Sequence, residues 1–83
     1  MSAKYTFWAW DQSINKAPLK LTLLQLADNA NDDGVSWYSV PKMDVRCGMS
    51  DRALQGHIKT LSDMGLLVVR ERPGTSRIYQ LQY

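Results

Sequence analysis

The stretch CGMSDRALQGHIKTLSDMGLL, from Cys47 to Leu67, carries the clearest structural signal in this chain of 83 residues. Ser50 stands where a helix N-cap is expected, and Gly65 stands where a C-terminal capping glycine is expected. Between them, apolar residues recur at the i, i+4, i+7 spacing of one helical face, at Leu54, Ile58 and Leu61. The stretch therefore predicts an amphipathic helix over residues 51–64.

The opposite face of this helix has an unusual composition. Since successive helical residues are about 100° apart, Arg52, Gly56 and Lys59 lie opposite the apolar stripe, and Gln55 and Thr60 flank them. A face that only meets solvent is typically built from Glu, Lys and Ala. We therefore expect this face to meet a partner.

Two further helices are predicted before it. The first covers residues 18–30, where apolar residues recur at helical spacing behind Pro18. The second covers residues 40–47, with Ser39 as its cap and Gly48 at its end. A turn of three to four residues that contains glycine, between two helices, is typical of a helix-turn-helix.

A β-hairpin is predicted over residues 66–82. The apolar period changes from 3.6 to 2 after Gly65, and the sequence PGTS at residues 73–76 favours a turn. A short strand is also predicted at residues 35–38. The order helix, short strand, helix, turn, helix, strand, strand predicts an α+β winged helix, with a three-helix helix-turn-helix core and a C-terminal hairpin as the wing. We expect one domain over residues 1–83, with one core that contains Leu23, Leu26, Leu54, Ile58, Leu61, Leu67, Tyr79 and Leu81.

The aromatic segment YTFWAW, from Tyr5 to Trp10, permits two interpretations. Both of its faces are aromatic or small, so its pattern does not select a buried side. Its aromatic residues either close an otherwise small core or form a surface for self-association.

Cys47 and His57 are both expected to have structural roles. Cys47 belongs to the inward set of the second helix, so we expect a buried thiol. His57 is the single histidine and lies at the edge of the apolar stripe, so we expect a boundary residue. No motif around the single histidine is typical of a catalytic Ser/His/Asp set, and no Cys/His spacing is typical of zinc. We therefore expect no enzyme, no metal and no cofactor.

The composition is that of a globular chain, with 45% apolar and 22% charged residues. One cysteine permits no internal disulfide framework, which favours a reducing compartment. No apolar run approaches the ~18 residues of a membrane span, and the first residues do not have the pattern of a signal peptide. We therefore expect a cytoplasmic protein without a membrane partner.

Charge is distributed unevenly along the chain. Residues 1–41 have three basic and four acidic side chains, a net charge of −1, whereas residues 42–83 have seven basic and four acidic ones, a net charge of +3. This asymmetry is expected where one face meets a polyanion, although ordinary surface scatter also produces it.

These segments resemble a known family. SVPKMDVRCGMSDRALQGHIKTLSDMGLL is similar to the helix-turn-helix of bacterial and prophage winged-helix DNA-binding domains, which occur in transcriptional regulators and at the front of phage or plasmid replication proteins. LKLTLLQLADNANDDGVSWYS resembles their first helix and short strand, and RERPGTSRIYQL resembles their wing. The likeness covers residues 8–81. The chain departs from the family pattern at Gly56, where a basic residue is common, and at Asp44, where a small apolar residue is common.

The resemblance implies a set of DNA-binding residues. In this family the third helix lies in the major groove and the wing contacts the backbone or the minor groove. Carried over to this chain, the third helix supplies Ser50, Arg52, Ala53, Gln55, Gly56 and Lys59, with Thr60 beside them. The wing supplies Arg72, Thr75, Ser76 and Arg77. The predicted DNA-binding site also includes Ser39 and Lys42 at the second helix.

The chemistry of these side chains fits double-stranded DNA. Arg52 suits guanine O6 and N7, and Gln55 suits adenine N6 and N7. Lys42, Lys59 and the wing arginines suit phosphates, which fix register without reading sequence. We therefore expect a DNA-binding domain that serves transcription regulation, or phage or plasmid replication or excision, and that is associated with a bacterial nucleoid when bound. A weak homodimer or a larger parent protein is the expected protein partner.

An alternative is a winged helix that binds another protein and not DNA. Its contact surface would be Val45, Leu66 or the N-terminal aromatic residues. The low net charge of +2 and the glycine at position 56 favour this alternative, and the basic wing favours DNA.

Overall fold

The computed structural model of the chain describes residues 3–37, 46–71 and 77–83. Within these ranges the chain forms an α+β domain with three α-helices and one antiparallel sheet of three strands. The elements follow the order α1 (Ala3–Trp10), α2 (Ala17–Asp28), β1 (Val35–Ser36), α3 (Asp51–Asp63), β2 (Leu67–Arg70) and β3 (Ile78–Leu81). No helix in these ranges has both the length and the apolar character needed to cross a lipid bilayer.

The elements lie close to their predicted positions. The helix expected over 18–30 ends at Asp28, because Asn29 caps it. The helix expected over 51–64 ends at Asp63, with Met64 as its cap. Of the helix expected over 40–47, only the final two residues lie within the described ranges, and both are helical.

The predicted hairpin consists of β2 and β3, which pair antiparallel with Leu67 opposite Leu81 and Val69 opposite Tyr79. Its turn, residues 72–76, lies outside the described residues. On its other edge β3 pairs with β1, so that Ser36 also lies opposite Tyr79. The strand order is therefore β1-β3-β2, with the C-terminal strand in the centre.

The inner face of the sheet and one face of each helix form a single hydrophobic cluster. All eight residues predicted to share a core are buried in it, which confirms the predicted helix phase and strand faces: Leu23, Leu26, Leu54, Ile58, Leu61, Leu67, Tyr79 and Leu81.

The N-terminal aromatic segment is a helix, and its aromatic residues serve different purposes. Tyr5 is buried and Trp8 packs against the core, as the first interpretation requires, whereas Phe7 and Trp10 are exposed. A strand would have placed Tyr5 and Phe7 on one face, but the helical period separates them. The Tyr5 ring lies edge-on to Trp8 and to Tyr83, with centroids 6.2 and 5.6 Å away.

A turn at residues 31–35 leads into β1 and also receives the Tyr5 ring. The side-chain oxygen of Asn31 accepts hydrogen bonds from the backbone N–H groups of Asp33 and Val35, at 2.9 and 3.1 Å. Gly34 has a positive φ of 79°, and a Cβ atom placed there would lie 2.6 Å from Cζ of Tyr5. The turn thus requires glycine for its backbone and for the aromatic packing against it.

We predict that Gly34→Ala destabilises the domain more than Gly65→Ala. Gly65 has nearly the same φ, 78°, but a Cβ there would meet no atom within 4 Å. Backbone strain alone costs about 1–2 kcal/mol at either glycine, and only Gly34→Ala also displaces the Tyr5 ring. Urea unfolding of both variants measures the difference, which should disappear in a Tyr5→Ala background. Equal costs in the two single variants would show that the Tyr5 contact is not tight.

Candidate nucleic-acid interface

Helix α3 begins at a well-formed cap. Ser50 has an extended backbone, and its hydroxyl accepts a hydrogen bond from the N–H of Ala53 at 3.2 Å. Asp51 lies in the first turn, where a carboxylate stabilises the positive end of the helix dipole. Both Ser50 and Asp51 are exposed, so the start of α3 is accessible from solvent.

The face of α3 that was expected to meet a partner is exposed along its length. Its members Arg52, Gln55, Gly56, Lys59 and Thr60 are all exposed, whereas the opposite stripe is buried. Ala53 was assigned to the same interface and is half-buried, because it lies between the exposed face and the core. The core therefore determines which side chains α3 presents.

Gly56 lies in the middle of this face and leaves a shallow region. A Cβ atom at this position would meet no atom within 4 Å, so packing within the domain does not require glycine here. Glycine in a helix interior costs about 1 kcal/mol relative to alanine. Gly56 therefore lowers the stability of the domain, and no contact within the domain explains why the position lacks a side chain.

The exposed side chains of α3 make only weak interactions within the chain. Lys59 Nζ lies 3.7 Å from a carboxylate oxygen of Asp63, and both side chains are largely exposed. An exposed pair of this kind contributes between zero and about 1 kcal/mol, so a phosphate can compete for the lysine. The hydroxyl of Thr60 donates to the backbone oxygen of Gly56 at 3.0 Å, which bridges two residues of the same face.

Arg77 was assigned to phosphate contact, but an acidic side chain lies directly beside it. Its Nε lies 3.1 Å from Oε1 of Glu71. Extending the β2–β3 register by one residue beyond Arg70 and Ile78 places Glu71 opposite Arg77. Sequence reasoning missed this pair, although the register of the predicted hairpin would have revealed it.

A groove of about 680 Å³ joins the exposed face of α3 to the base of the hairpin. Side chains of both signs line it, and its lining includes Gln55, Gly56, Lys59, Asp63, Glu71 and Arg77. The structure therefore brings three assigned residues of α3 together with one assigned residue of the hairpin. Four other assigned residues of α3 and its cap are described but do not line this groove: Ser50, Arg52, Ala53 and Thr60. The remaining five assigned positions lie outside the described residues: Ser39, Lys42, Arg72, Thr75 and Ser76.

Lys16 was not assigned to the interface, yet it lies at the edge of this face. It lines a pocket of about 360 Å³ together with His57 and Thr60. Since Lys16 precedes α2 and Thr60 belongs to α3, only their packing brings them together, and the sequence has no signal for it. His57 is half-buried, as expected of a boundary residue, and its Nδ1 lies 3.4 Å from the hydroxyl of Thr22.

The expectation of a buried thiol is wrong, since Cys47 is only half-buried. It lies in the wall of an apolar groove that also includes Trp10 and Met49, and this groove is open to solvent. Among the described residues, no group of three or more His, Cys, Asp and Glu side chains is arranged to hold a metal ion.

Tyr79 links the hairpin base to the core. Burial raises the pKa of its phenol above the ordinary value of 10.0, and the neighbouring guanidinium of Arg77, which also hydrogen-bonds to it, partly offsets this increase. The folded state therefore favours the neutral phenol.

No protein-family model, curated protein or solved structure matches the chain. The assignment of a function consequently depends on the chain's own residues and their geometry.

We predict that the domain loses stability above about pH 10 and that Tyr79→Phe reduces this loss. A phenol with a raised folded-state pKa stabilises the fold fully below the pKa of the unfolded chain, about 10, and its contribution is lost as the pH rises through the folded-state pKa. Urea unfolding at a series of alkaline pH values measures the slope, which one proton limits to about 1.4 kcal/mol per pH unit. Unfolding of both proteins at pH 7, well below the titration of the phenol, gives the baseline for this comparison. An unchanged slope in Tyr79→Phe would contradict the prediction.

Proposed function

We propose that this chain is a winged-helix domain that binds double-stranded DNA, with α3 in the major groove and the β2–β3 hairpin as the wing beside it. The observation that supports this most is the exposed face of α3, where long hydrogen-bond donors surround a glycine that no internal contact requires. The resemblance of residues 8–81 to prophage and bacterial winged helices supports the same role, in transcription regulation, replication or excision.

The dimensions of α3 are suitable for a major groove. Its 13 residues span about 20 Å, and an α-helix with its side chains fits the ~12 Å width of the groove. Arg52 and Gln55 lie on the exposed side near the N-terminus of α3, where side chains of a recognition helix reach base edges. In this arrangement Arg52 and Gln55 read bases, and Lys59 and Arg77 contact phosphates.

Gly56 brings the backbone of α3 closer to DNA in this proposal. A missing side chain in the middle of the face allows the helix to lie deeper in the groove. This compensates for the weak positive charge of the face, because a closer approach strengthens each remaining contact.

A second candidate function is binding of another protein without DNA. The charge balance of the described interface favours it, because Arg52 and Lys59 on α3 are matched by Asp51 and Asp63 on the same helix. Arg77 is likewise matched by its partner in the hairpin, Glu71. A neutral face attracts phosphates weakly and suits a protein surface better than a strongly basic face does.

We predict that Gly56→Ala stabilises the domain and weakens its binding to DNA. The added methyl group enters open space, so the helix gains up to about 1 kcal/mol. The same methyl group holds the helix backbone away from the bases, so the affinity for duplex should fall. Thermal unfolding and fluorescence anisotropy with a labelled duplex measure the two effects. A stabilised variant with unchanged affinity would show that the glycine has no role in binding.

We predict that substitutions on the helix and on the hairpin have different effects on DNA binding. Arg52→Ala and Gln55→Ala should each cost about 1–3 kcal/mol on a preferred duplex selected from a random library, and much less on a scrambled duplex. Arg77→Ala should weaken binding to both duplexes alike. It should also reduce the slope of the logarithm of the binding constant against the logarithm of the salt concentration by roughly one unit.

Glu71→Gln is the matched counterpart of Arg77→Ala. It removes the acidic partner of Arg77 and should strengthen binding to both duplexes and steepen their salt dependence. Anisotropy titrations at several salt concentrations measure all four variants, with unfolding curves as the check on folding. If the wild-type domain does not bind duplex at low salt, the DNA proposal is wrong and the protein-binding candidate replaces it.

A further inference from the structure

An apolar face lies on α1 and α2, formed by residues outside the candidate nucleic-acid interface. Its convex part is a ridge made by Phe7 and Trp10, which lie about one helical turn apart on α1. These residues are 67% and 60% exposed. Its concave part is a groove of about 410 Å³, and Trp10 forms one wall of it. The other apolar residues of the groove are Ala17, Pro18, Leu21, Leu24, Cys47 and Met49. We call these residues the α1–α2 face.

We infer that the α1–α2 face binds a second copy of this chain, with the ridge of each copy in the groove of the other. A ridge and a groove side by side on one surface are self-complementary under twofold rotation, since each copy then offers one and receives one. A different partner would need only one of these two shapes. Exposed aromatic side chains are also the residues that most often dominate protein interfaces.

The ridge is held in position before any partner binds. The ammonium group of Lys20 donates hydrogen bonds to the backbone oxygens of Trp10 and Gln12, and it lies 6.0 Å from the centroid of the Trp10 ring. These contacts fix the end of α1 on α2, so little conformational freedom is lost when Trp10 enters a partner groove.

The charges around the face are compatible with pairing to itself. Asp11 directly follows the ridge and is exposed, and Lys20 lies in the wall of the groove. Lys16 and Arg46, which precede groove residues along the chain, are also exposed, and Arg46 pairs with Asp28 at 3.8 Å. The border of the face therefore has both signs of charge, so that Asp11 of one copy can pair with a basic residue of the other.

The area of the face indicates a weak dimer. A fully exposed aromatic side chain contributes about 150–250 Å², so the exposed parts of Phe7 and Trp10 amount to roughly 200–300 Å² per copy. Stable complexes bury about 800 Å² per partner. Even with the groove residues added, the contact is smaller than the ~1,000 Å² total of ordinary specific interfaces, so we expect a transient dimer that forms only at high micromolar to millimolar concentrations.

This inference does not depend on the proposed function. The α1–α2 face and the groove beside α3 share no residue, so the two surfaces can be occupied at the same time. The dimer is therefore tested without DNA, and a failure of either proposal leaves the other unaffected.

Sedimentation equilibrium of the wild-type chain from about 20 µM to about 2 mM tests the dimer, with association expected in the upper part of this range. Phe7→Gln and Leu21→Gln should each raise the dissociation constant roughly tenfold or more, since each variant alters both copies. Met64→Gln is the matched control, because Met64 is an exposed apolar residue outside the face, and it should leave the constant unchanged. Circular dichroism verifies that each variant is folded.

Amide chemical shifts on dilution of the wild-type chain locate the contact. Changes should concentrate at residues 7–24 and 47–49. A chain that remains monomeric at about 2 mM overturns the inference. So does a dimer that Phe7→Gln and Leu21→Gln leave intact, or one whose dilution shifts map to the exposed face of α3 or to β2.

Discussion

The central position of β3 is the constraint on which the rest of the domain depends. This last strand pairs with β1 from the first half of the chain and with β2 from the second half, so it joins both halves in one sheet. Tyr79 and Leu81 extend from it into the core. At its C-terminal end, the N–H of Leu81 donates to the backbone oxygen of Gly34 at 2.8 Å, which ties the strand to the turn that carries the Tyr5 ring.

The candidate interface is a consequence of this packing. Leu54, Ile58 and Leu61 anchor α3 in the core, so the opposite face can only point outward. The hairpin that supplies the central strand also positions Arg77 beside that face. An interface built in this way has a well-defined shape, because its supporting residues are buried. The interface attracts negatively charged groups only weakly, because the acidic side chains of Asp63 and Glu71 lie next to Lys59 and Arg77.

In the described part of the chain, two of the exposed surfaces differ in character. One surrounds α3 and is polar, with both signs of charge, and the other is the apolar α1–α2 face. A winged helix with one recognition helix reads a short DNA site, and pairing of two copies doubles the length of that site. If both proposals hold, a weak contact through the α1–α2 face would act mainly when DNA brings two copies together, since tethering raises their effective concentration.

The sequence by itself determined the features that depend on local periodicity. The stripe in α3, the caps at Ser50 and near Gly65, and the change of period at the hairpin each arise from residues close together in the chain. Those signals predicted α2, α3, the pairing of β2 with β3 and the shared core correctly, and with them the exposed face of α3. The aromatic segment could not be interpreted in this way, because its residue types fit either a helix or a strand and only packing against α2 and the turn at Gly34 selects the helix.

Only the tertiary structure decided which distant side chains become neighbours. The pairing of β1 with β3 joins residues about 45 positions apart, and no local pattern specifies it. The same is true of Lys16 beside Thr60 and of the groove that leaves Cys47 half-buried, since both depend on how α2 packs against elements far along the chain. The physical reason is that periodicity reports which face of an element is apolar, whereas the partner of that face depends on how all the elements fill one core.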